Sequence, residues 1–566
     1  MIWLSRLVRS TVLTFAIGVG VARIFSLQAN IFADAGPVKP LWKNVPVKLL
    51  AAIALALTAA LLQAQGTSKW VYPGDAQRLH YAVDARGNRI MDFSHAGYEA
   101  GGVPIPTVRV MRTVTPVAGD NTARIQSAID EVSRLEADRA GFRGAVQLHP
   151  GTYEVAGPLR IAASGVVLRG SGTGGTGDKG TAIQVTGPPH RFLDISGTGS
   201  WQEQGQPVAI TDAYVPSGAD AFEVSSTSGL KTGDTILVQR PVTEAWIRFM
   251  QMDTLTRDGK PQVWINPGSS HNADRVITSI SGRRVTVDVP LSDSYDAAYL
   301  RPFGASVVRY RFPGRIEQVG FENMRVTVPA RDVPITQGQY TLLRMSAVSD
   351  AWVRDVVVEN THNTITIAHS ARRLTLESVH VRHDVPFSGA ASPADFAISG
   401  TQVLLHRSSV SGKRVWPVVT QAGVTGPNVV LHFKADEAGV APHQRWATGL
   451  LVDSSEFTNG TERRPGLAFS NREHAGSGHG WSAGWSVAWN VKTDVLLVQQ
   501  PPGAKNWCIG CTGRHATILW HGNPIAVPPI PSETFESPGV AVRPASLYLA
   551  QLKDRLGAAA LRNIGY

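Results

Sequence analysis

Three clusters in the second half of the chain carry side chains suited to proton transfer. PHQRWATG holds His443, Arg445 and Trp446. SNREHAGSGHGWSAGW holds Asn471, Arg472, His474, His479 and Trp481. VRHDVPFSGAASPADF holds His383, Asp384 and Asp395. Nine of the sixteen histidines fall between His362 and His479, which concentrates titratable groups on a short length of chain. Imidazole is the side chain whose ordinary pKa suits proton transfer near neutral pH. A guanidinium fork matches a carboxylate, and indole rings offer flat faces to sugars. Together these types point to β-elimination at a uronic acid. That reaction needs a base at the C5 proton and a positive group at the neighbouring carboxylate, where charge develops. His443 or His479 is the expected base, with Arg445 or Arg472 on the carboxylate. Trp446 and Trp481 are expected to stack on sugar rings, and Asn471, His383, Asp384 and Asp395 to add contacts.

Other readings of the same residues stay open. A histidine here can be a turn or stacking residue, Arg445 can pair with Asp453, and the glycines of GSGHGW can serve tight turns alone. Asp384, Asp395 or Asp453 can act as carboxylates of a glycoside hydrolase, and Asp384 and Asp395 also as cation ligands. No motif has zinc-ligand spacing. Calcium held by scattered carboxylates is left open, and no cofactor is specified. Cys508 and Cys511, in WCIGC, are the only cysteines and read as a surface-loop pair able to oxidise.

The elements that must position these residues are short strands. The chain has 566 residues with 55 Gly and 35 Pro, a turn content that suits many short strands. A solenoid lengthens by adding turns, so length does not set a domain count. WVRDVVVEN (352–360), RRLTLESVHV (372–381), QVLLHRSSV (402–410), NVVLHFKAD (428–436) and GLLVDSSEF (449–457) echo one another. Taking Val353, Leu374, Leu404, Val429 and Leu450 as equivalent gives steps of 21, 30, 25 and 21 residues, within the range of repeat proteins. The long excursions at 382–401 and 411–427 are expected to carry binding residues.

Nearer the N-terminus, Gly119 to Gly172 reads as an amphipathic helix followed by strands. Ile125, Ala128, Ile129, Val132 and Leu135 share one face, with Asp120 or Asn121 as N-cap. Val146–Leu148, Leu159–Ile161 and Val166–Leu168 follow between Gly and Pro turns. This opening resembles that of right-handed parallel β-helices of the pectate lyase superfamily, in which a helix caps the first turn. PHQRWATGLL, GSGHGW, NWCIG and SLYLAQL resemble segments of a group of secreted bacterial β-helix proteins of that superfamily, and the likeness covers most of 93–560. It implies an all-β parallel β-helix that degrades long, often acidic, polysaccharides or, as a non-catalytic protein, binds them. The calcium-binding aspartates and arginine base of pectate lyases are not matched, nor are the paired aspartates of polygalacturonases. No catalytic role is therefore carried over.

The expected organisation is a hydrophobic leader at 1–65, an N-terminal extension at 66–118, and the cap helix with first turns at 119–200. An antiparallel insertion follows at 201–305, the main coil at 306–524, and an extension with a helix at 525–566. Val242 to His271 holds Trp246, Arg248, Trp264 and His271; with Arg240, Trp246 and His271 are candidate groove-wall residues. In the last segment Pro544 is expected at N1, with Leu549, Leu552 and Leu556 on one face and Gly557 as the stop. The apolar stretch Leu49 to Leu62 follows Lys43 and Lys48 and resembles a signal peptide ending near residue 65, so a secreted or periplasmic protein is expected. Without residues 1–65, which hold Arg6, Arg9, Arg23, Lys39, Lys43, Lys48 and Asp34, the formal charge falls from +10 to +5. That favours an anionic partner weakly. The expected partner is an anionic polysaccharide. No nucleic acid is expected, nor any stable membrane insertion after processing, and the chain reads as a monomer.

Overall fold

A computed structural model describes residues 66–75, 78–174, 180–388, 393–519 and 533–566. The expected leader at 1–65 lies outside the described residues. From Val110–Val114 to Phe535–Glu536, strands of the coil pair in parallel with strands one turn away. The fold is a parallel β-helix with three sheets. The first is six-stranded, with Leu159–Ile161, Arg191–Ser196, Thr341–Ser346, Ile365–Ile367, Ala394–Ile398 and Trp416–Thr420. Ile316–Thr327, Val348–Glu359 and Arg372–Arg382 each bend to serve the second and third sheets in turn. Later turns divide those two stretches, as in Thr425–Leu431 and Lys434–Asp436.

The bend between the second and third sheets has one cause repeated along the coil. Asn323, Asp355, Ser378, Arg407, His432, Ser454 and Asn490 each adopt a left-handed backbone with φ between 47° and 61°. They occupy successive turns in register. A single left-handed residue reverses the pleat, and the corner backbone is held by ladder bonds above and below.

Val353, Leu376, Leu405, Val430 and Val452 stack in register, giving steps of 23, 29, 25 and 22 residues. The sequence alignment of Leu374, Leu404 and Leu450 is thus displaced by one or two positions. The reason is that the second sheet is buried on both faces. Leu405 and Val430 face the coil interior. Leu404, Val429 and Leu451 pack outward under the N-terminal extension and the C-terminal helix, with Met91, Phe93, Tyr548 and Leu552. A strand covered on both sides shows no alternation from which to read its register.

The cap helix is Thr122–Ser133, with Ile125, Ile129 and Val132 at 0–1% exposure against the first turns. Asn121 is the N-cap by position, but the Asp120 carboxylate accepts from Thr122 N at 2.9 Å. Val110–Val114 already pairs with Gly144–Leu148, so the coil begins within the expected extension. The C-terminal helix is Leu547–Leu556 with Ser546 as N-cap; Pro544 precedes it, and Leu556 is exposed. Cys508 and Cys511 are free thiols buried in the coil interior rather than a surface-loop pair, and burial pushes the Cys508 thiol up.

Between Arg191–Ser196 of the first sheet and Ile316–Thr327, the chain leaves the coil as the antiparallel insertion. Its sheet has the order Gln202–Ala209, Ser306–Arg311, Thr235–Pro241, Ser270–Ser281, Arg284–Val287, Ala221–Glu223. Ser306–Arg311, expected in the coil, pairs within this sheet, because its apolar residues complete the insertion's own core with Ile236 and Val238.

Candidate functional site

Each turn crosses from the first sheet to the second at one edge of the coil. His369, Gly423, His443 and His479 lie in these crossings, and the insertion leaves the coil at the same edge. Arg445 N donates to His479 O at 2.9 Å, and Trp446 N to Trp481 O at 2.9 Å, so the two crossings stack in register. That register brings His443 and His479 together across 36 residues of sequence: their rings meet edge to face, centroids 4.6 Å apart. The expected approach of these two imidazoles across consecutive turns is what the structure shows.

Among the described residues neither imidazole has an acidic partner. His443 Nδ1 lies 3.0 Å from Gln421 Oε1, so it carries the proton and leaves the lone pair on Nε2. Burial, then Arg472 and Arg445, bring His443 down to about 4. Burial, then Arg472, His443, Arg445 and Arg257, bring His479 to about 3. Both are neutral at neutral pH. The pair is thus always deprotonated there, but each imidazole is a weaker base than a histidine near 6.5.

The two arginines are placed differently from the sequence expectation. Arg445 donates through Nε to Trp264 O at 2.6 Å, through Nη1 to Gln444 Oε1 at 3.0 Å, and through Nη2 to Ser477 O and Oγ at 3.0 and 2.8 Å. It straps the insertion and the 471–482 crossing to the coil, and it does not pair with Asp453. Arg472 donates to His443 O at 2.8 Å, and burial lowers it to about 10. Both place positive charge beside the imidazoles while holding the backbone that carries them.

Trp446 and Trp481 are not sugar platforms. They are 2% and 6% exposed and pack with Trp246 and Trp264 between insertion and coil. Trp446 Nε1 donates to Asp293 Oδ2 at 2.8 Å, and Trp481 Nε1 to Met250 O at 3.2 Å. Arg240 is buried against Asp293 at 3.4 Å. Arg248 is exposed beside Glu244 at 3.5 Å. Asn471 shapes the crossing: its Oδ1 accepts from Glu473 N at 2.8 Å. The glycines do more than turn the chain. A Cβ at Gly476 would lie 2.2 Å from His479 Nε2, and Gly476 has φ +55°.

His383, Asp384 and Asp395 lie at a different edge, where the third sheet crosses to the first. They cannot join the imidazole pair. His383 Nε2 meets Asp395 Oδ2 at 2.9 Å with both side chains fully buried. Burial alone would lower His383, but the Asp395 carboxylate outweighs it and raises the imidazole. Asp395 Oδ1 also accepts from Thr364 Oγ1 at 2.6 Å. Asp384 is half exposed, with Arg382 at 3.2 Å. Asp453 is fully buried and accepts from Ser546 Oγ at 2.7 Å and Tyr548 N at 2.8 Å, capping the C-terminal helix. Burial raises it to about 6. The three aspartates offered for hydrolysis thus form no pair. Among the described residues no group of three or more His, Cys, Asp or Glu is placed to hold a metal ion.

A cleft of about 270 Å³ opens between insertion and coil. Trp201, His271, Asp274 and Arg315 line it from the insertion and the chain returning from it; Arg372, Thr401 and Arg445 line it from the coil. His271 is a wall residue as expected, and burial, Arg240 and His369 lower it to about 3. Asp274, Arg315 and Arg372 were missed. They lie in ordinary alternating strands or at their ends, and no local pattern marks them.

No family model matches the chain, and no curated protein does. Solved structures it is similar to include three that are 10–12% identical to it. One is ORF18 of Geobacillus virus E2, at 12% identity and TM-score 0.32, covering 75% of this chain and 60% of that one. A second is the tailspike protein gp49 from Pseudomonas phage LKA1, at 12% and 0.31, covering 70% and 69%. A third is PfbA, a surface adhesin of Streptococcus pneumoniae, at 10% and 0.31, covering 76% and 78%. The assignment of the coil rests on its own strand pairing.

Proposed function

We propose that this β-helix cleaves an anionic polysaccharide by β-elimination at the edge where the insertion meets the coil. One observation carries the reading: two neutral imidazoles packed edge to face with ring centroids 4.6 Å apart, flanked by two guanidiniums and with no acidic partner among the described residues. His443 Nε2 takes the C5 proton of a uronate. The C5–H electron pair becomes the C4–C5 double bond. The C4–O4 bond breaks with its electrons on oxygen, which takes a proton from water. The field of Arg445 and Arg472 stabilises the carboxylate as it becomes an enediolate. A carboxylate arriving there also offsets the arginines' effect on His443 and raises its basicity when the proton must move. The apolar stretch at 49–62 supports export to where such polysaccharides lie.

Incubation with a panel of acidic and neutral polysaccharides tests this. The expected product carries an unsaturated, ultraviolet-absorbing end. His443→Ala and His479→Ala should each lower turnover at least about a hundredfold with unchanged circular dichroism. New reducing ends without ultraviolet absorption would replace the lyase reading with hydrolysis. Binding without product would leave a glycan-binding protein, a reading that the full engagement of the Arg445 guanidinium by protein groups also favours.

A further inference from the structure

We propose that the cleft between insertion and coil is a subsite for one carboxylate-bearing sugar residue, in which Arg315 and Arg372 take the carboxylate and Trp201 takes the ring face. This names the recognition step of the lyase reading and rests on it for the polymeric nature of the ligand.

Charge is the first argument. The cleft is lined by Arg315, Arg372 and Arg445 against one carboxylate, Asp274. Arg275, the next residue, is fully buried, its Nη1 donating to the main-chain carbonyl of Asp274 at 2.9 Å and its Nη2 to those of Pro290 and Gly426 at 2.9 Å. Asp274 is already shared: Tyr310 donates to it at 2.5 Å, Arg372 Nη1 at 2.7 Å and Arg315 Nη1 at 3.4 Å. One carboxylate touches both forks, and Asp350 and Asp288 add negative field at Arg372 without an ion pair to it among the described residues. An arriving anion would give the two forks the second direct partner that Asp274 alone cannot supply.

Unmade hydrogen bonds are the second argument. Arg315 and Arg372 each bond Asp274 through Nη1 only, and Nε of both is buried without a partner among the described residues. Side-chain exposure is 8% for Arg315 and 14% for Arg372. The Thr401 hydroxyl, in the same lining, is also buried and without a hydrogen-bond partner among the described residues. Native proteins seldom leave so many buried donors unmade in one wall.

Shape is the third. A volume of about 270 Å³ is at the low end of ligand sites, about one or two sugar rings rather than a long chain. Trp201 is half-buried, set edge-on against Phe312 at 5.2 Å, with the Arg315 guanidinium 5.8 Å from its ring. An aromatic face beside planar cations suits a sugar acid. The cleft also adjoins the imidazole pair. Arg445 in its wall lies two residues past His443, and Gln421, which accepts from His443, precedes Ala422 and Gly423 of the same wall.

The test is equilibrium binding to the full chain, followed by tryptophan fluorescence and calorimetry. The probes are oligomers of galacturonate, glucuronate and mannuronate, with neutral galactose oligomers as controls and acetate and sulfate as competing ions. At least one uronate oligomer should bind about tenfold or more tighter than the neutral one. Arg315→Gln should lose about tenfold, since it keeps Asp274 on Tyr310 and Arg372; Arg372→Lys, which keeps charge without the fork, should also weaken binding. His443→Ala should bind as wild type while failing to cleave. Equal binding of neutral and acidic oligomers would overturn the proposal. So would an unaltered Arg315→Gln variant of unchanged melting temperature, or displacement of the oligomer by acetate or sulfate at the oligomer's own binding concentration. Arginine-dependent uronate binding without any product would refute the lyase chemistry and leave the subsite standing.

Discussion

Two histidine clusters at two edges of one coil have opposite electrostatic fates. At the insertion edge, His443 and His479 lie against each other and against Arg445 and Arg472, and both are held neutral. At the other edge, His383 is paired with Asp395 and favours its charged form. The side chain is the same, and burial works against its charged form at both edges. The nearest charge decides. An imidazole locked onto a carboxylate holds a loop in place. An imidazole kept neutral beside cations can accept a proton from something that arrives.

The sharpest way to break this comparison is Asp395→Ala. It leaves His383 buried without its counter-charge and should cost about 3–5 kcal/mol, read by urea denaturation, with turnover of the folded fraction preserved. If stability is untouched and turnover collapses, the two edges have been assigned the wrong roles.

A milder probe acts on the other edge. Gly476→Ala puts a Cβ where His479 Nε2 stands and a side chain on a left-handed backbone. The backbone strain alone should cost about 1–2 kcal/mol. The displaced ring should lower turnover in the direction of His479→Ala. Wild-type turnover in this variant would remove His479 from the site.

The smallest effect is the pH response, and its sign differs between edges. His443 and His479 have folded values of about 4 and about 3, below the ordinary 6.5. Between those limits the unfolded chain binds more protons. Their contribution is therefore present above about 6.5 and lost as pH falls toward 4. His383 is raised, so its contribution is present below 6.5 and lost as pH rises through its folded value. In denaturation series from pH 4.5 to 8, His443→Gln with His479→Gln should flatten the acid side of the stability profile, and His383→Gln the alkaline side. Identical profiles would mean that neighbouring charge does not separate the clusters.

The physical limits of the sequence are visible residue by residue. Helical spacing at Ile125, Ile129 and Val132 was sufficient for the cap helix, because one face of that helix is buried and the other is not. Gly-punctuated alternation was sufficient for the antiparallel insertion for the same reason. The echo of apolar strands implied a coil, and the stacking of turns brought His443 to His479. The register was not legible, because strands such as Thr401–His406 are buried on both faces. The roles of Trp446 and Trp481 were not legible either. An indole beside a histidine looks the same in sequence whether it faces a sugar or another indole, and here the insertion folds over the edge and covers both. Nor could Asp274, Arg315 and Arg372 be found from spacing, since they meet only when a sheet that left the coil returns to it across nearly a hundred residues. Local periodicity records which face of an element is buried. Which charges converge across a cleft depends on how an inserted sheet docks on the coil, and only the tertiary structure decides that.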